Sequence, residues 1–282
     1  MGARVQLQLG KHTLDLTQPK VMGVLNRTPD SFSDGGAYTD IDVALRQALR
    51  MIEEGAAIID IGGESTRPGS IAVSVQQELD RVIPLIERLV SEQAALVSID
   101  TSKPEVMGAA VKAGAVMIND IHALRLPGAL EAARACAIPV CIMHMQGEPR
   151  SMQQHPHYED VVAEVKQFLE ERSQVCESAG IPRKRILIDP GFGFGKTLAH
   201  NLSLLRQLGE FTSSGQLLLV GLSRKSMIGA LLGDAPVGKR LQGSVAAAVI
   251  AVLQGASIIR SHDVQPTVEA LKIAAAVHGT GC

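Results

Sequence analysis

The sequence predicts an α/β fold, a single (β/α)8 TIM barrel that spans residues 1–282 as one domain. Three observations lead to this prediction. Short apolar, β-branched segments alternate strictly with helical patterns, and nearly every apolar segment ends in a polar cluster. No linker-like or low-complexity stretch divides the 282 residues, and α/β barrels commonly use about 250 residues as one domain.

Eight strands are predicted where the apolar runs occur. Strands of a parallel sheet that is covered on both faces are apolar on both sides, so they form continuous runs and do not alternate with polar residues. The predicted strands occupy residues 20–26, 56–64, 95–102, 115–121, 138–145, 185–193, 217–225 and 256–263.

Eight helices are predicted between and after these strands. Gly55 is typical of the residue that ends a helix, and Ser74 with Gln77 has the spacing of a capping box at a helix start. The predicted helices occupy residues 42–55, 74–90, 104–114, 127–136, 158–180, 198–211, 238–255 and 267–279.

The alternative fold is a doubly wound open sheet. Such a sheet concentrates its site at one switch point, whereas a barrel builds its site from the loops that follow all of its strands. Polar clusters follow nearly every predicted strand, which favours the barrel.

The composition excludes several classes of function. The net charge is −2, from 27 basic and 29 acidic residues, so no general affinity for nucleic acid or a membrane surface is expected. No apolar run approaches the roughly 20 residues that span a bilayer, and no signal-peptide pattern precedes the first strand. Of the four cysteines, Cys136 and Cys141 are expected to be buried thiols. A cytoplasmic protein is therefore predicted.

The ends of the predicted strands carry most of the candidate functional residues. A single aspartate at a strand end is often only the cap of the next helix, but a ring of polar side chains around one barrel mouth indicates a ligand site. These residues are Asn26, Asp60, Asp100, Asn119, His144, Asp189, Lys225, Arg260 and His262.

The residue types at these positions indicate a flat polar ligand with an anionic group. Acceptors at 100, 119 and 189 suit the donor edge of a heterocycle with NH and NH₂ groups, and an ammonium at 225 can donate to a ring carbonyl or nitrogen. Arg260 and His262 follow the last strand, where barrels often bind phosphate. The carbonyl oxygen of Asn26 could coordinate Mg²⁺, which takes few protein ligands.

Two loops are predicted to be mobile lids, residues 27–38 after the first strand and 62–70 after the second. Both are rich in Gly, Ser, Pro and Thr and are longer than a minimal βα turn. The glycine-rich run at 190–197 does not have the spacing of a Walker A phosphate loop, so Phe194 within it is interpreted as a wall for an aromatic substrate.

Stretches along nearly the whole chain resemble the dihydropteroate synthases, folate-pathway enzymes that sulfonamides inhibit. They are GVLNRTPDSFSDGG, IDIGGESTRPG, SIDTSKPEV, IND, MHMQGEP, LIDPGFGFGK, GLSRKSMIG and IIRSHDV. The resemblance implies a homodimeric TIM barrel that uses Mg²⁺. It also implies condensation of 6-hydroxymethyl-7,8-dihydropterin diphosphate with p-aminobenzoate, through an SN1-like displacement, to 7,8-dihydropteroate and diphosphate.

The resemblance also implies a role for individual residues. The catalytic residues would be Asp100, Lys225, Arg260 and His262. The pterin pocket would be Asp100, Asn119, Met143, Asp189, Phe192, Gly193 and Lys225. The diphosphate contacts would be Thr66, Arg67, Arg260 and His262, and Asn26 would hold the metal. The p-aminobenzoate and sulfonamide pocket would be Phe32, Pro68, Phe194, Lys225 and Ser226, while Asp30 and Asp34 would help to organise the closed site.

Arg27 departs from the family, which usually has a small apolar residue at this position. Three interpretations stay open: the side chain points to solvent, adds a diphosphate contact at the rim, or disturbs the metal site through its charge. Two other functions also stay open. One is a barrel that presents methyltetrahydrofolate to a corrinoid partner, which would have little use for Arg260, His262 or the two lids. The other is a non-catalytic paralogue.

Overall fold

A computed structural model describes residues 5–27, 37–65, 70, 72–92 and 95–278 and confirms the predicted barrel. Eight parallel strands form the barrel wall, and a short antiparallel hairpin precedes them. In chain order the strands are β1 (Gln6–Leu9), β2 (His12–Asp15), β3 (Lys20–Asn26), β4 (Ile58–Gly62), β5 (Leu96–Asp100), β6 (Met117–Asp120), β7 (Val140–Met143), β8 (Ile186–Asp189), β9 (Leu219–Gly221) and β10 (Ile258–Ser261).

The sheet closes on itself between β8 and β9. The hydrogen-bonded order is β8-β7-β6-β5-β4-β3-β10-β9. Strands that are consecutive in the chain are therefore neighbours in the wall, and the last strand, β10, pairs with the first, β3. A parallel bridge pairs Ile188 with Leu218, and the Ile188 amide donates to the Leu217 carbonyl at 3.0 Å. Closure brings the carboxyl ends of all eight strands to one mouth.

Helices flank the wall, as predicted, and several begin or end where the sequence signals lie. Ser74 and Gln77 form the expected capping box, and Gly55 adopts a left-handed φ of +100° after the first helix. The helices are α1 (Ala37–Glu53), α2 (Val75–Ser91), α3 (Pro104–Lys112), α4 (Ala129–Cys136), α5 (Val161–Ser178), α6 (Leu198–Arg206), α7 (Ser226–Leu231), α8 (Leu241–Leu253) and α9 (Val264–His278). Within the described ranges, no helix is long and apolar enough to cross a membrane.

The hairpin β1–β2 closes the amino-terminal end of the barrel, and the sequence analysis did not predict it. Leu7, Leu9, Leu14 and Leu16 are buried together with the apolar residues that point inward from the lower part of the wall. Burying each such leucine stabilises the fold by about 1.5–3 kcal/mol, so the hairpin is an integral part of the core.

Alternation along the strands separates an apolar floor from a polar mouth. Successive strand residues point to opposite faces, so inward-facing residues are two positions apart. The floor is formed by Met22, Ile58, Leu96, Met117, Cys141, Leu187, Leu219 and Ile258. Two residues further along the same strands lie Val24, Asp60, Ser98, Asn119, Met143, Asp189, Gly221 and Arg260. The candidate site residues therefore point inward because of the register of their strands.

Candidate active site

Three hydrogen-bond acceptors converge in the barrel mouth. Asp100 ends β5 and lies directly opposite Asn119 of β6 in the strand register, while Asp189 ends β8. Asn119 is 5% exposed and Asp189 is 6% exposed, so both lie at the bottom of the mouth. This geometry matches the acceptor set that the sequence predicted for a heterocycle with NH groups.

Burial makes the two carboxylates weakly acidic. It raises the pKa of Asp100 from 3.8 to about 7; the Asp60 carboxylate adds to this rise, and the Arg260 guanidinium opposes it. Burial likewise raises the pKa of Asp189, against the attraction of the Lys225 ammonium and a hydrogen bond from the Gly191 amide at 2.8 Å. Both groups therefore depend on neighbouring cations to remain ionised.

Arg260 lies inside the mouth, held between two carboxylates. Its Nε donates to Asp60 Oδ2 at 2.6 Å, and its Nη2 donates to Asp100 Oδ2 at 2.8 Å. Although burial opposes its charge, the two carboxylates raise the pKa of Arg260, so it stays charged. Its Nη1 has no protein partner among the described residues. The neighbouring His262 has both its backbone nitrogen and its Nδ1 at 3.1 Å from Ser223 Oγ.

Lys225 follows β9 and interacts electrostatically with Asp189 of the neighbouring strand β8. Its Nζ donates to the Phe192 carbonyl and lies 4.6 Å from the centroid of the Phe194 ring. Burial lowers the pKa of Lys225 from 10.5 to about 8, although the Asp189 carboxylate acts in the opposite direction. A methyl group at Gly193 would lie only 3.3 Å from Lys225 Cδ, so glycine at this position avoids a close contact with the lysine side chain.

The two phenylalanines of the glycine-rich loop have different environments. The Phe192 side chain is fully buried in the main core, so only its backbone contributes to the mouth. Phe194 is half-buried and packs against a small apolar cluster that includes Met143 and Met145. Met143 therefore lies beside the wall that Phe194 was predicted to form, and Ser226 is exposed at the start of α7.

The carboxamide of Asn26 lies beside Gly62 and Asp100. A methyl group at Gly62 would lie 3.3 Å from Asn26 Oδ1 and 3.7 Å from Asp100 Oδ2. The glycine therefore lets two oxygen atoms approach the same point, and oxygen is the ligand type that Mg²⁺ prefers. The described residues contain no cluster of three or more His, Cys, Asp or Glu that could hold a metal.

Arg27 contacts helix α2. Its amide continues the strand ladder by donating to the Gly62 carbonyl at 2.8 Å, and its Nη1 donates to the Arg81 carbonyl at 2.5 Å. Arg81 in turn donates to the Gly63 carbonyl at 2.7 Å. Because the side chain is half-buried and hydrogen-bonded, the interpretation that it points to solvent is wrong. Neighbouring residues of an extended chain face opposite sides, so the guanidinium and the Asn26 carboxamide diverge.

Sequence reasoning missed the role of Lys196, the last basic residue of the glycine-rich loop. The side chain is 3% exposed, and its Nζ donates to the carbonyls of Gly191 at 3.0 Å and Phe194 at 3.1 Å and lies 2.9 Å from His144 Nδ1. A methyl group at Gly191, whose φ is +70°, would lie 1.9 Å from the His144 carbonyl oxygen. The loop is therefore locked onto β7, and its glycines were the signal for this close approach.

Comparisons with known proteins agree with this site. Residues 22–262 match the family model described as pterin binding enzyme. The chain is 56% identical over 261 residues to the dihydropteroate synthase of Escherichia coli K12, which covers 93% of this chain and 92% of that one. The chain belongs to the dihydropteroate synthase family of pterin-binding enzymes.

Solved structures of dihydropteroate synthases superpose closely on the barrel. A Yersinia pestis dihydropteroate synthase in a sulfonamide drug complex has a TM-score of 0.93 and 52% identity, covering 98% of this chain and 100% of that one. A Xanthomonas albilineans dihydropteroate synthase with 4-aminobenzoic acid also has a TM-score of 0.93 and 52% identity, with coverage of 98% and 99%.

Several residues that the dihydropteroate synthase resemblance assigned to the two loops cannot be placed. They lie outside the described residues: Phe32, Thr66, Arg67 and Pro68, together with Asp30 and Asp34. Of the residues predicted at the strand ends, the structure brings Asp60, Asp100, Asn119, Asp189, Lys225 and Arg260 together. His144 is buried against Phe168 and Lys196 instead, because it follows the inward-facing Met143 and points to the other side of the wall. The predicted loop contacts stay predictions.

Proposed function

We infer that this chain is a transferase that catalyses the reaction of its family. It condenses 6-hydroxymethyl-7,8-dihydropterin diphosphate with p-aminobenzoate to give 7,8-dihydropteroate and diphosphate. The observation that carries this conclusion is the convergence of Asp100, Asn119, Asp189 and Lys225 in the mouth of a barrel that is 56% identical to a dihydropteroate synthase.

The pterin ring binds at the bottom of the mouth. Asp100, Asn119 and Asp189 accept hydrogen bonds from its NH and NH₂ groups, and Lys225 donates to a ring carbonyl or nitrogen. The flat face of the ring packs against Met143, while Phe192 and Gly193 contribute backbone atoms beside it. The burial of these groups supports the assignment, because hydrogen bonds in a site without water discriminate strongly between ligands.

The displacement begins with cleavage of the bond between the pterin methylene carbon and the diphosphate oxygen. Arg260, through its available Nη1, and His262 stabilise the departing diphosphate, with Thr66 and Arg67 as further contacts from the second loop. The methylene carbon becomes cationic, and the Asp100 carboxylate offsets this charge. The amine of p-aminobenzoate then attacks the carbon and loses a proton, so no covalent enzyme intermediate forms.

We propose that Mg²⁺ binds beside Asn26. The approach of Asn26 Oδ1 and Asp100 Oδ2 to the same point beside Gly62 supports this proposal. Bound there, the ion would neutralise charge on the diphosphate. In this arrangement Asn26 at the end of β3 would hold the metal. Arg260 and His262, from the neighbouring strand β10 and the residues after it, would hold the leaving group.

The p-aminobenzoate pocket is proposed at the rim, between Phe194 and the two loops. The stem of Lys225, Ser226, Phe32 and Pro68 would complete it. The half-buried Phe194 ring under the Lys225 ammonium supports an aromatic, anionic occupant. The sulfonamide and 4-aminobenzoic acid complexes of the two similar enzymes support the same pocket for sulfonamide inhibitors.

We further propose a homodimer that associates through α8 and α9. These helices pack against each other and expose large apolar side chains, with Ile250 45%, Leu253 46%, Ile273 69% and Val277 81% exposed. Exposed apolar surface on neighbouring helices is typical of an interface. Light scattering should give twice the chain mass, and Ile273→Glu should convert it to the monomer.

A single domain over residues 1–282 and a cytoplasmic location are proposals of the same kind. The single domain is supported by the packing of the hairpin β1–β2 and of helix α9 on the same barrel. Cys136, Cys141 and Cys176 are free thiols, as is usual in a reducing compartment.

The function is tested by measuring 7,8-dihydropteroate formation with both substrates, with each substrate omitted, and with Mg²⁺ or a chelator. Turnover should require both substrates and fall when Mg²⁺ is removed. Asp189→Asn should lower kcat/KM by about ten- to hundredfold, because it removes a charged acceptor. The matched control, Asp80→Asn on the exposed face of α2, should keep full activity. Purified protein that forms no dihydropteroate and binds neither substrate would overturn the proposal.

A further inference from the structure

Asp60 occupies the centre of the site, and the proposed mechanism gives it no task. It lies in the middle of β4, is 0% exposed and points into the barrel, one layer above the apolar floor. Its Oδ2 accepts from Arg260 Nε at 2.6 Å and from Asn119 Nδ2 at 3.1 Å. One carboxylate oxygen thus joins side chains from β4, β6 and β10.

The contact with Asn119 decides which end of its carboxamide faces the ligand. An amide can present either an acceptor oxygen or a donor NH₂ group, but a carboxylate only accepts. The Asn119 atom that faces Asp60 must therefore be the nitrogen, and Asn119 Oδ1 is left to accept from a ligand. Without Asp60, the amide could turn and offer donors to a substrate edge that itself carries donors.

The contact with Arg260 decides where the guanidinium lies. Asp60 holds Nε and Asp100 holds Nη2, so two of the three guanidinium nitrogens are fixed and only Nη1 is left for a ligand. An arginine held in this way presents a defined edge and does not sample many rotamers. The second oxygen, Asp60 Oδ1, is buried without a hydrogen-bond partner among the described residues. An unsatisfied buried acceptor destabilises the folded protein, so this aspartate is not explained by a contribution to stability.

We propose that Asp60 is a positioning residue that orients Asn119 as an acceptor and Arg260 as a donor toward the pterin diphosphate. This inference rests on the proposed function. Asp60 touches neither reacting atom; it determines which substrate edge the pocket accepts by fixing the two side chains that make the contacts.

The two Michaelis constants offer a readout that a purely structural residue would not separate. Asp60 contacts Asn119 and Arg260, which are the side chains proposed to meet the pterin diphosphate. None of the residues proposed for the p-aminobenzoate pocket is hydrogen-bonded to Asp60 within the described part of the chain. Loss of Asp60 should therefore raise the KM for the pterin diphosphate and not the KM for p-aminobenzoate.

The test compares Asp60→Asn with a matched control, Ser98→Ala. Ser98 lies opposite Asp60 in the strand register, is equally buried and has no hydrogen-bond partner for its hydroxyl within the described part of the chain. Asp60→Asn should raise the KM for the pterin diphosphate about ten- to hundredfold and leave the KM for p-aminobenzoate within about twofold. Ser98→Ala should change none of these.

The outcomes separate this inference from the proposed function. If the unmodified enzyme makes no dihydropteroate, the proposed function fails. If the unmodified enzyme is active and Asp60→Asn keeps its KM for the pterin diphosphate, or raises both KM values alike, the positioning role is wrong. Should the variant not fold, side-chain NMR of the unmodified enzyme decides: slow exchange of the Asn119 Nδ2 protons supports the contact with Asp60, and rapid exchange overturns it.

Discussion

His144 is kept neutral inside the native barrel, so acid should destabilise the protein over a defined pH range. The imidazole is 6% exposed and packs edge-on against Phe168, with ring centroids 4.9 Å apart. Burial, together with the nearby positive charges of Lys196 and Arg125, lowers the pKa of His144 from 6.5 to about 2. In the unfolded chain the group regains an ordinary pKa of about 6.5.

The size of the effect follows from these two values. Because the folded-state pKa is the lower one, the stabilisation is fully present above about pH 6.5 and is lost as the pH falls. The lost free energy of unfolding is about 1.4 kcal/mol at pH ~5.5 and about 2.7 kcal/mol at pH ~4.5. The raised pKa values of Asp100 and Asp189 act in the opposite direction, so the effect must be isolated by a variant.

The assay is urea unfolding, followed by circular dichroism at about pH 7.5, 5.5 and 4.5, on the unmodified protein and on His144→Gln. The variant keeps the titrating carboxylates and lacks only the imidazole. Between about pH 7.5 and 4.5, its free energy of unfolding should therefore fall by about 2.7 kcal/mol less than that of the unmodified protein. His155→Gln, at an exposed position, should behave like the unmodified protein. Equal losses in the unmodified protein and His144→Gln would refute a neutral, buried His144.

Three further predictions concern the site. Lys225 has a pKa of about 8, whereas an arginine at this position stays charged at higher pH. Lys225→Arg should therefore move the alkaline limb of kcat/KM to higher pH. An alkaline limb that stays near pH ~8 in the variant would exclude Lys225 as its source. Gly191→Ala should lower the melting temperature sharply, since its methyl group would lie 1.9 Å from a carbonyl oxygen, whereas Gly108→Ala, in open space, should not. Arg27→Val should lower the free energy of unfolding by about 1 kcal/mol, by removing the contact with α2, and leave the Mg²⁺ dependence of turnover unchanged. An altered Mg²⁺ requirement would show that Arg27 acts on the metal.

The eight βα units could be predicted because their signals are local. Apolar runs, helical periodicity, the capping box at Ser74 and the left-handed Gly55 each depend on a few consecutive residues. The hairpin β1–β2 escaped prediction because its strands have only four residues each, and its leucines are buried only against the floor of a finished barrel. Helix α7 escaped because six residues are too few to show a period.

The candidate site also has a part that the sequence predicted and a part that only the structure shows. The sequence places Asp100, Asn119 and Asp189 at strand ends, and barrel closure brings all strand ends to one mouth, so their convergence follows from the fold class. The resemblance placed Phe192 and Gly193 on or near the pterin. Only the tertiary structure shows that the Phe192 side chain is buried in the main core while its carbonyl accepts a hydrogen bond from Lys225.

By itself, the sequence determined the barrel, the acceptor set and the family resemblance, because each is encoded in residue type and order along the chain. Only the tertiary structure decided which side chains hold one another. Arg260 and Asp60 are 200 residues apart, and Lys196 and His144 are 52 apart. Such pairs depend on strand register and on the left-handed glycines, and no local pattern reports where two distant side chains meet. The same holds for Arg27, whose contact with α2 exists only because that helix packs against β4, the strand next to β3.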